Sequence, residues 1–448
     1  MFDYLKRPQN WPTLASDLDN LKLIAFEGAG VTGVMYTGAM KALEREGLLH
    51  SVERFAGTSS GSIVAIGAAL GYRGDELVNI GVKQEFKAFC RTNGKWLFKK
   101  LFGNLRGEGV FSGDGITDWV RGLCARRIGN PELSFRDLQN YHRHAAEGDR
   151  TFFEQKYDEA MQHKDGYRKE FISRRFAFDF ERGSREASVD AMMDIAKAFG
   201  LLEVGATEII NDTRGHRTEQ GVLFSERDYP TMRVADAVRA SAAYPYVFKL
   251  AKWKDPQGII HRYTDGGFTI PIPLTSLDKP GVLNRHVLGF SSEFLGRPGG
   301  EPMRLGQGTQ RILNMLAKQV GRNIRSEAGI EGDSLQIGQA RMAADRARFH
   351  AMGEARDNDD DYRCRMAPID RLGIDGTNFN ITELQKYGLI ENAYQTTLEA
   401  IHEWRRQKEQ NHEQHGAGNH FTDRFPPRDS IKSAKQRRKD APPPEHGK

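Results

Sequence analysis

Ser59 lies in Gly57-Thr58-Ser59-Ser60-Gly61, a G-x-S-x-G pentapeptide. In that pattern a serine stands on a sharp strand-to-helix turn, and the flanking glycines remove side chains that would collide there. The turn exposes the serine oxygen at a helix N-terminus, where unpaired N–H groups and the helix dipole favour developing negative charge. The chemistry this offers is nucleophilic attack on a carbonyl; the plainer reading is an ordinary loop, in which glycine and serine are common. Gly28-Ala29-Gly30-Val31-Thr32-Gly33 fits two chemistries. As G-x-G-x-x-G it has the form of a dinucleotide fingerprint, and as a run of small residues it offers backbone N–H groups to an oxyanion. A dinucleotide site needs an acidic residue at the end of the second strand. Glu53 has the spacing but precedes that strand, whose end is occupied by the Ser59 turn, so the oxyanion reading is preferred. Asp265, in Tyr263-Thr264-Asp265-Gly266-Gly267, is a carboxylate on a glycine-flanked loop, and alone such a dipeptide reads as a turn.

Other residue types offer less. Of the 13 histidines, His216, His261 and His286 lie nearest to expected strands, but none falls in a recognisable motif and each reads as a surface or loop residue. The 3 cysteines, Cys90, Cys124 and Cys364, form no C-x-x-C pair and have no histidine spaced to complete a zinc site, so neither a metal centre nor a disulfide framework is expected.

The elements that must position Ser59 follow from local pattern. Leu21 to Phe26 is an apolar run ending at Gly28, which predicts a buried strand entering a tight turn. Helical spacing of Val34, Ala39 and Leu43, with Lys41, Glu44, Arg45 and Glu46 on the other face, predicts an amphipathic helix from Gly33 to Leu49, stopped by Gly47. Arg54, Phe55 and Ala56 lead into Gly57, and Ile63 to Leu70 predicts a deeply packed helix. This succession is the start of a parallel α/β protein. Further strands are expected at Leu202 to Ile210, Gly221 to Phe224 and Val287 to Phe290. Residues 84–185 and 304–353 read as helical insertions, the first lid-like or cap-like, and Asp357 with Asp359 to Asp361 as an acidic loop.

Composition bounds the rest. With 38% hydrophobic and 28% charged residues over 448 positions, the chain can build a large core. A net charge of +5 is a mild excess, not the basic stripe of a nucleic-acid binder, and no nucleic-acid partner is expected. Neither a secretory signal nor a membrane span is legible, which predicts a cytoplasmic or membrane-peripheral protein, with signal-independent export as an alternative. Residues 1–20 read as a leader. Residues 406–448, with Lys432, Lys435, Arg437, Arg438 and Lys439 and then Pro442 to Pro444, read as a disordered basic tail able to assist docking at an anionic bilayer. Lys95 to Arg106 has Leu97, Phe98, Leu101, Phe102 and Leu105 on one helical face, which suits a membrane surface or inward packing.

Taken together, the glycine loop Gly28 to Gly33, the serine turn Gly57 to Gly61 and Asp265-Gly266-Gly267 occur in an order that resembles the patatin-like phospholipases, a family of lipid acyl hydrolases with a Ser-Asp dyad. Gly109-Val110-Phe111-Ser112-Gly113, Ser134-Phe135-Arg136-Asp137-Leu138 and Val234 to Ala242 are similar to family segments between serine and aspartate, and Phe379 to Ala393 to its closing segment. The resemblance spans about 21–405, the expected catalytic domain.

The resemblance implies a three-layer α/β/α fold with a central, mostly parallel sheet, helices on both faces and helical insertions. It implies Ser59 as nucleophile, Asp265 as its base, N–H groups of Gly28, Ala29 and Gly30 as the oxyanion hole, with that of Ser60 as an optional further donor, and no required histidine. Gly33, Gly57, Ser60, Gly61, Gly266 and Gly267 support these motifs. It implies no metal or organic cofactor and a phospholipid or other acyl lipid as substrate; the oligomeric state is not legible. The loop departs from the family in having Ala29 where a glycine is usual and Thr32 where a basic residue is usual. An alanine would hinder the loop only if that position required a positive φ. The competing expectation is a catalytically silent version of the fold serving as a lipid- or partner-binding scaffold.

Overall fold

The structure, a computed structural model, describes residues 16–90, 111–171, 177–211, 217–245, 247–279, 284–293, 365–376 and 378–415. The chain opens with β1 (Leu23–Phe26), a 3-10 segment (Gly30–Met35), α1 (Tyr36–Arg45), β2 (Arg54–Thr58) and α2 (Ser60–Ala69). Then come α3 (Gly74–Lys83), α4 (Phe86–Phe89), α5 (Asp114–Ile128), α6 (Phe135–Glu147), α7 (Arg150–Glu170) and α8 (Arg185–Lys197). Next are β3 (Leu201–Asn211), β4 (Arg217–Phe224), α9 (Val234–Ser241), β5 (Ala251–Lys254), β6 (Ile260–Asp265), β7 (Val287–Glu293), β8 (Met366–Asp370) and α10 (Glu383–His415).

All four residues of β1 are buried, as befits a central parallel strand covered on both faces. Ile24 and Phe26 enter the main core, whereas Leu23 and Ala25 join a smaller cluster with Ile272, Leu274 and Val287. The amphipathic helix after β1 is shorter than its apolar spacing predicts. Residues 30–35 wind as 3-10 helix and α1 begins only at Tyr36. Within that segment Gly33 packs directly on Ser60 across the turn. The segment Ser134 to Leu138 is a capping box: Ser134 Oγ accepts from Asp137 N–H at 3.1 Å, and Asp137 accepts from Ser134 N–H at 3.0 Å.

The sheet is mixed and mostly parallel, with helices on both sides, in the order β5-β6-β3-β2-β1-β7-β8 and with β4 on the other edge of β3. The parallel pairs are β3 with β2, β2 with β1, β1 with β7 and β7 with β8. One detail of register positions the site. Strand β2 pairs with β3 up to Thr58 opposite Gly205, and antiparallel β6 takes over the same edge of β3 at once, with Asp265 opposite Ala206. β4 occupies the opposite edge of β3 through this whole stretch, which leaves β2 and β6 end to end. The last residue of β6 therefore meets the turn that leaves β2.

The stretch 84–185 is helical where described, but Phe135, Leu138, Tyr141 and Phe153 belong to the main core, so α6 and α7 form part of the helical layer. The expected leader is packed at its end: Leu18 is buried and Ser16 Oγ donates to Val287 O at 2.6 Å. At the other end α10 runs past residue 406 to His415, with Lys408 paired to Asp19. The helix expected at Lys95 to Arg106, the insertion 304–353, the acidic loop, Gly109, Val110, Cys364, His216 and residues 416–448 lie outside the described residues. Among the described residues, no helix is long and apolar enough to cross a membrane.

Candidate active site

Ser59 joins β2 to α2 with φ 53° and ψ −124°, a conformation that a side-chain-bearing residue rarely adopts and that costs about 1–3 kcal/mol. The surroundings over-determine it. A Cβ on Gly57 would lie 2.3 Å from Gly61 O, and one on Gly61 would lie 2.4 Å from Phe26 O. The two glycines thus let the turn fold onto itself and onto β1. Ser59 N–H donates to Ser241 Oγ at 2.8 Å, and Ser241 Oγ donates in turn to Gly205 O at 2.5 Å. Ser62 Oγ holds Ser59 O at 2.6 Å from within α2.

The hydroxyl so presented donates to Asp265 Oδ2 at 2.7 Å. Asp265 is only 4% exposed, and its other oxygen, Oδ1, accepts from Gly267 N–H at 2.9 Å. Its backbone is anchored on both sides, with its N–H donating to Ala243 O at 3.1 Å and its carbonyl accepting from Thr207 Oγ1 at 2.9 Å. Gly266 packs where a Cβ would strike Gly205 O at 2.2 Å. Burial pushes the Asp265 carboxyl up to about 6, against the opposing pull of the Ser59 hydroxyl and the Gly267 N–H. A carboxylate with that proton affinity, one hydrogen bond from a strained serine, is equipped to accept the serine proton near neutral pH.

The glycine loop lies beside this pair, with the Cα of Gly28 facing Ser59 Cβ. Its departures from the family pattern are accommodated. Ala29 has φ −127°, so its methyl meets no steric penalty, and the positive φ of 58° falls on Gly30. Gly30 is doubly required, since a Cβ there would also lie 2.1 Å from Gly376 O. Buried Thr32 closes the loop by donating from Oγ1 to Ala29 O at 2.7 Å.

The donors divide differently from the sequence-based expectation. Gly28 N–H is already given to Pro271 O at 3.1 Å, and Ala29 N–H to Ser60 Oγ at 2.9 Å. Of the three loop residues, only Gly30 retains an N–H without an acceptor among the described residues, and Ser60 N–H at the start of α2 is likewise unengaged. In this arrangement Gly28 and Ala29 hold the loop and the serine turn together. Sequence reasoning assigns no role to Ser241 or Gly376. The signal for Ser241 is its place in the Val234 to Ala242 block; Gly376 leaves none.

The histidines are placed elsewhere. His261 points to Glu208 at 2.7 Å and Asp255 at 3.2 Å, which together raise its pKa, and His286 approaches Asp17 at 4.0 Å. Among the described residues, no histidine bonds to Ser59 or Asp265, and no group of three or more His, Cys, Asp or Glu side chains is arranged to hold a metal ion. Cys90 and Cys124 are free thiols.

Solved structures match parts of this chain. VipD from Legionella pneumophila matches with 14% identity over 90% of this chain and 72% of its own, at a TM-score of 0.42. The type III effector protein ExoU, known from Pseudomonas aeruginosa, matches with 14% identity over 87% of this chain and 54% of its own, at 0.35. Human GIVD cytosolic phospholipase A2 matches with 12% identity over 61% of this chain and 43% of its own, at 0.27. A search of curated protein sequences finds no match. A family model described as patatin-like phospholipase matches residues 24–278, more than half of the 448 residues, and the chain belongs to that family.

Proposed function

We propose that the protein is a lipid acyl hydrolase that works through Ser59 and Asp265. The observation that carries this reading is the 2.7 Å hydrogen bond from the strained Ser59 hydroxyl to a buried carboxylate with raised proton affinity. As Ser59 Oγ attacks an ester carbonyl carbon, Asp265 takes its proton. The carbonyl oxygen becomes an oxyanion held by the N–H groups of Gly30 and Ser60, the second of them at the positive end of α2. When the tetrahedral centre collapses, the leaving alkoxide takes the proton from Asp265 and Ser59 carries the acyl group. Water then attacks that ester, again giving its proton to Asp265, and the fatty acid leaves as Ser59 recovers its hydrogen.

Membership in the family supports a phospholipid or other acyl lipid as substrate. The test is labelling by a fluorophosphonate together with turnover of a soluble short-chain ester. The protein should label at Ser59, and Ser59→Ala should lose both label and turnover, by on the order of a thousandfold or more, without a change in melting temperature. An unlabelled, inactive wild-type protein would favour the silent scaffold; undiminished turnover in Ser59→Ala would remove Ser59 from the mechanism.

A further inference from the structure

Single exposed apolar side chains are ordinary on a protein surface, but their confinement to one region is informative. The exposed large apolar side chains among the described residues are Ile210, Tyr244, Ile259, Ile260, Leu372, Leu384 and Tyr387. All belong to the edge of the sheet where the parallel strands end and where Ser59 opens. Ile210 is near the end of β3, and Ile259 and Ile260 are at the tip of the β5–β6 hairpin. Tyr244 follows Ala243, whose carbonyl accepts from Asp265. Across the sheet, Leu372 follows the end of β8, and Leu384 and Tyr387 lie in the first turns of α10.

The hairpin is the sharpest part of this rim. β6 runs from its tip down to Asp265, and at about 3.3 Å per residue Ile260 stands roughly 17 Å beyond that carboxylate. Ile259 and Ile260 are 59% and 62% exposed. Behind them the outward face of the hairpin carries Lys252, Lys254 and Arg262, with Lys252 directly opposite Arg262 and Lys254 opposite Ile260. Like charges facing each other across a strand pair are unfavourable. Among the described residues none of the three cations has a carboxylate within ion-pair distance, and the nearby Asp255 and Glu208 both bond to His261. Lysines on an outer strand do discourage strand addition. That purpose does not account for two isoleucines presented at the tip.

We propose that this edge docks on an anionic lipid surface, with Ile259 and Ile260 entering the bilayer interface and Lys252, Lys254 and Arg262 meeting lipid phosphates. An apolar wedge followed by uncompensated cations matches the depth profile of such a surface, apolar within and anionic above. The choice of lipid over a protein partner rests in part on the hydrolase reading, and the test therefore separates the two.

Vesicle sedimentation is measured with full-length Ser59→Ala protein, which turns nothing over. The vesicles are phosphatidylcholine alone or with about 30% phosphatidylserine, at roughly 0.05 and 0.3 M salt. The expected result is preference for the anionic vesicles, weakened by salt. Ile259→Asp with Ile260→Asp should lower partitioning about tenfold or more. Lys252→Glu with Arg262→Glu should remove most of the preference for anionic vesicles. The same substitutions in the Ser59-containing protein should leave soluble-ester turnover unchanged, which shows that they fold. Wild-type-like partitioning of both variants, or no vesicle binding by the parent, would overturn the proposal. Ester turnover would then still stand or fall by itself, and the rim would be left to a protein partner.

Discussion

Glu203 and Asp265 are two buried carboxylates attached to the same strand, one on β3 and one paired beside it, and they are treated in opposite ways. Glu203, fully buried at the beginning of the strand, receives Arg54 at 3.2 Å and Arg227 at 2.8 Å, while Arg54 also reaches Glu226 at 2.7 Å. Asp265, nearly as buried, is given no cation among the described residues. Its partners are the Ser59 hydroxyl and the Gly267 N–H, and burial leaves it with a pKa of about 6. One end of the sheet spends charge to hold strands β2 and β3 in register. The other withholds a countercharge and so keeps a carboxyl whose proton affinity lies near neutrality.

Removing each charge should break the comparison in a different observable. The largest effect is expected for Asp265→Asn, which keeps the shape and deletes the basic oxygen. Ester turnover should fall on the order of a thousandfold or more, and adding Ser59→Ala should make it little worse, since groups that act as one unit are not additive. The same substitution should stabilise the fold at neutral pH. A carboxyl at about 6 in the folded chain against 3.8 for its ordinary value means that the folded protein holds a proton the unfolded chain has released. The contribution of Asp265 to stability should therefore fall as pH rises from about 4 to 6, by about 3 kcal/mol in all, and stay level above. Asparagine escapes that loss, so urea unfolding should find the variant more stable at pH 7 and no more stable at pH 4. A variant less stable at pH 7 would contradict the withheld-charge account.

Glu203→Gln should do the reverse, leaving Arg227 unpaired and Arg54 with Glu226 alone. A loss of about 2–3 kcal/mol in urea unfolding is expected, with soluble-ester turnover per folded molecule unchanged. Loss of turnover at constant stability would connect the two ends of the sheet. The smallest effect is expected for His261→Ala, which sharpens the comparison by removing the imidazole nearest to Asp265 in sequence. Turnover should stay within about twofold of wild type, with at most about 1 kcal/mol of stability lost. Because its carboxylate neighbours raise the His261 pKa, that loss should be fully present at acid pH and vanish as pH rises through the folded-state value. A collapse of turnover with folding intact would install a histidine beside the serine and displace the two-residue mechanism.

Ser59, Asp265 and the glycine loop are legible in the sequence because close backbone approach admits only glycine at particular positions. Gly57 and Gly61 are needed for the turn, Gly30 for its φ and its contact with Gly376, and such demands leave a local spelling. β1 and the body of α2 are legible for another reason: a segment buried on nearly every side must be made of small or apolar residues. The outer hairpin is not legible, since Lys252-Trp253-Lys254 and Ile260-His261-Arg262 give no apolar run, and alternate residues of both segments face solvent. Nor is the division of labour among the loop N–H groups. It depends on Pro271 and Ser60 arriving as acceptors, and those distances belong to the assembled chain. The start of α1 is misread because apolar spacing alone does not distinguish 3-10 from α winding at its first turn.

Gly376 O accepts from Val31 N–H at 2.7 Å and lies against Gly30, so the loop beside Ser59 is latched by a residue well past the segment 24–278 that identifies the family. A gene fragment encoding only that segment would inherit the glycine loop, the serine turn and the aspartate loop and still lack the clasp that shapes the first of them. The smallest portable unit of the proposed activity is accordingly expected to be longer than its signature, reaching through β8 to the loop before α10.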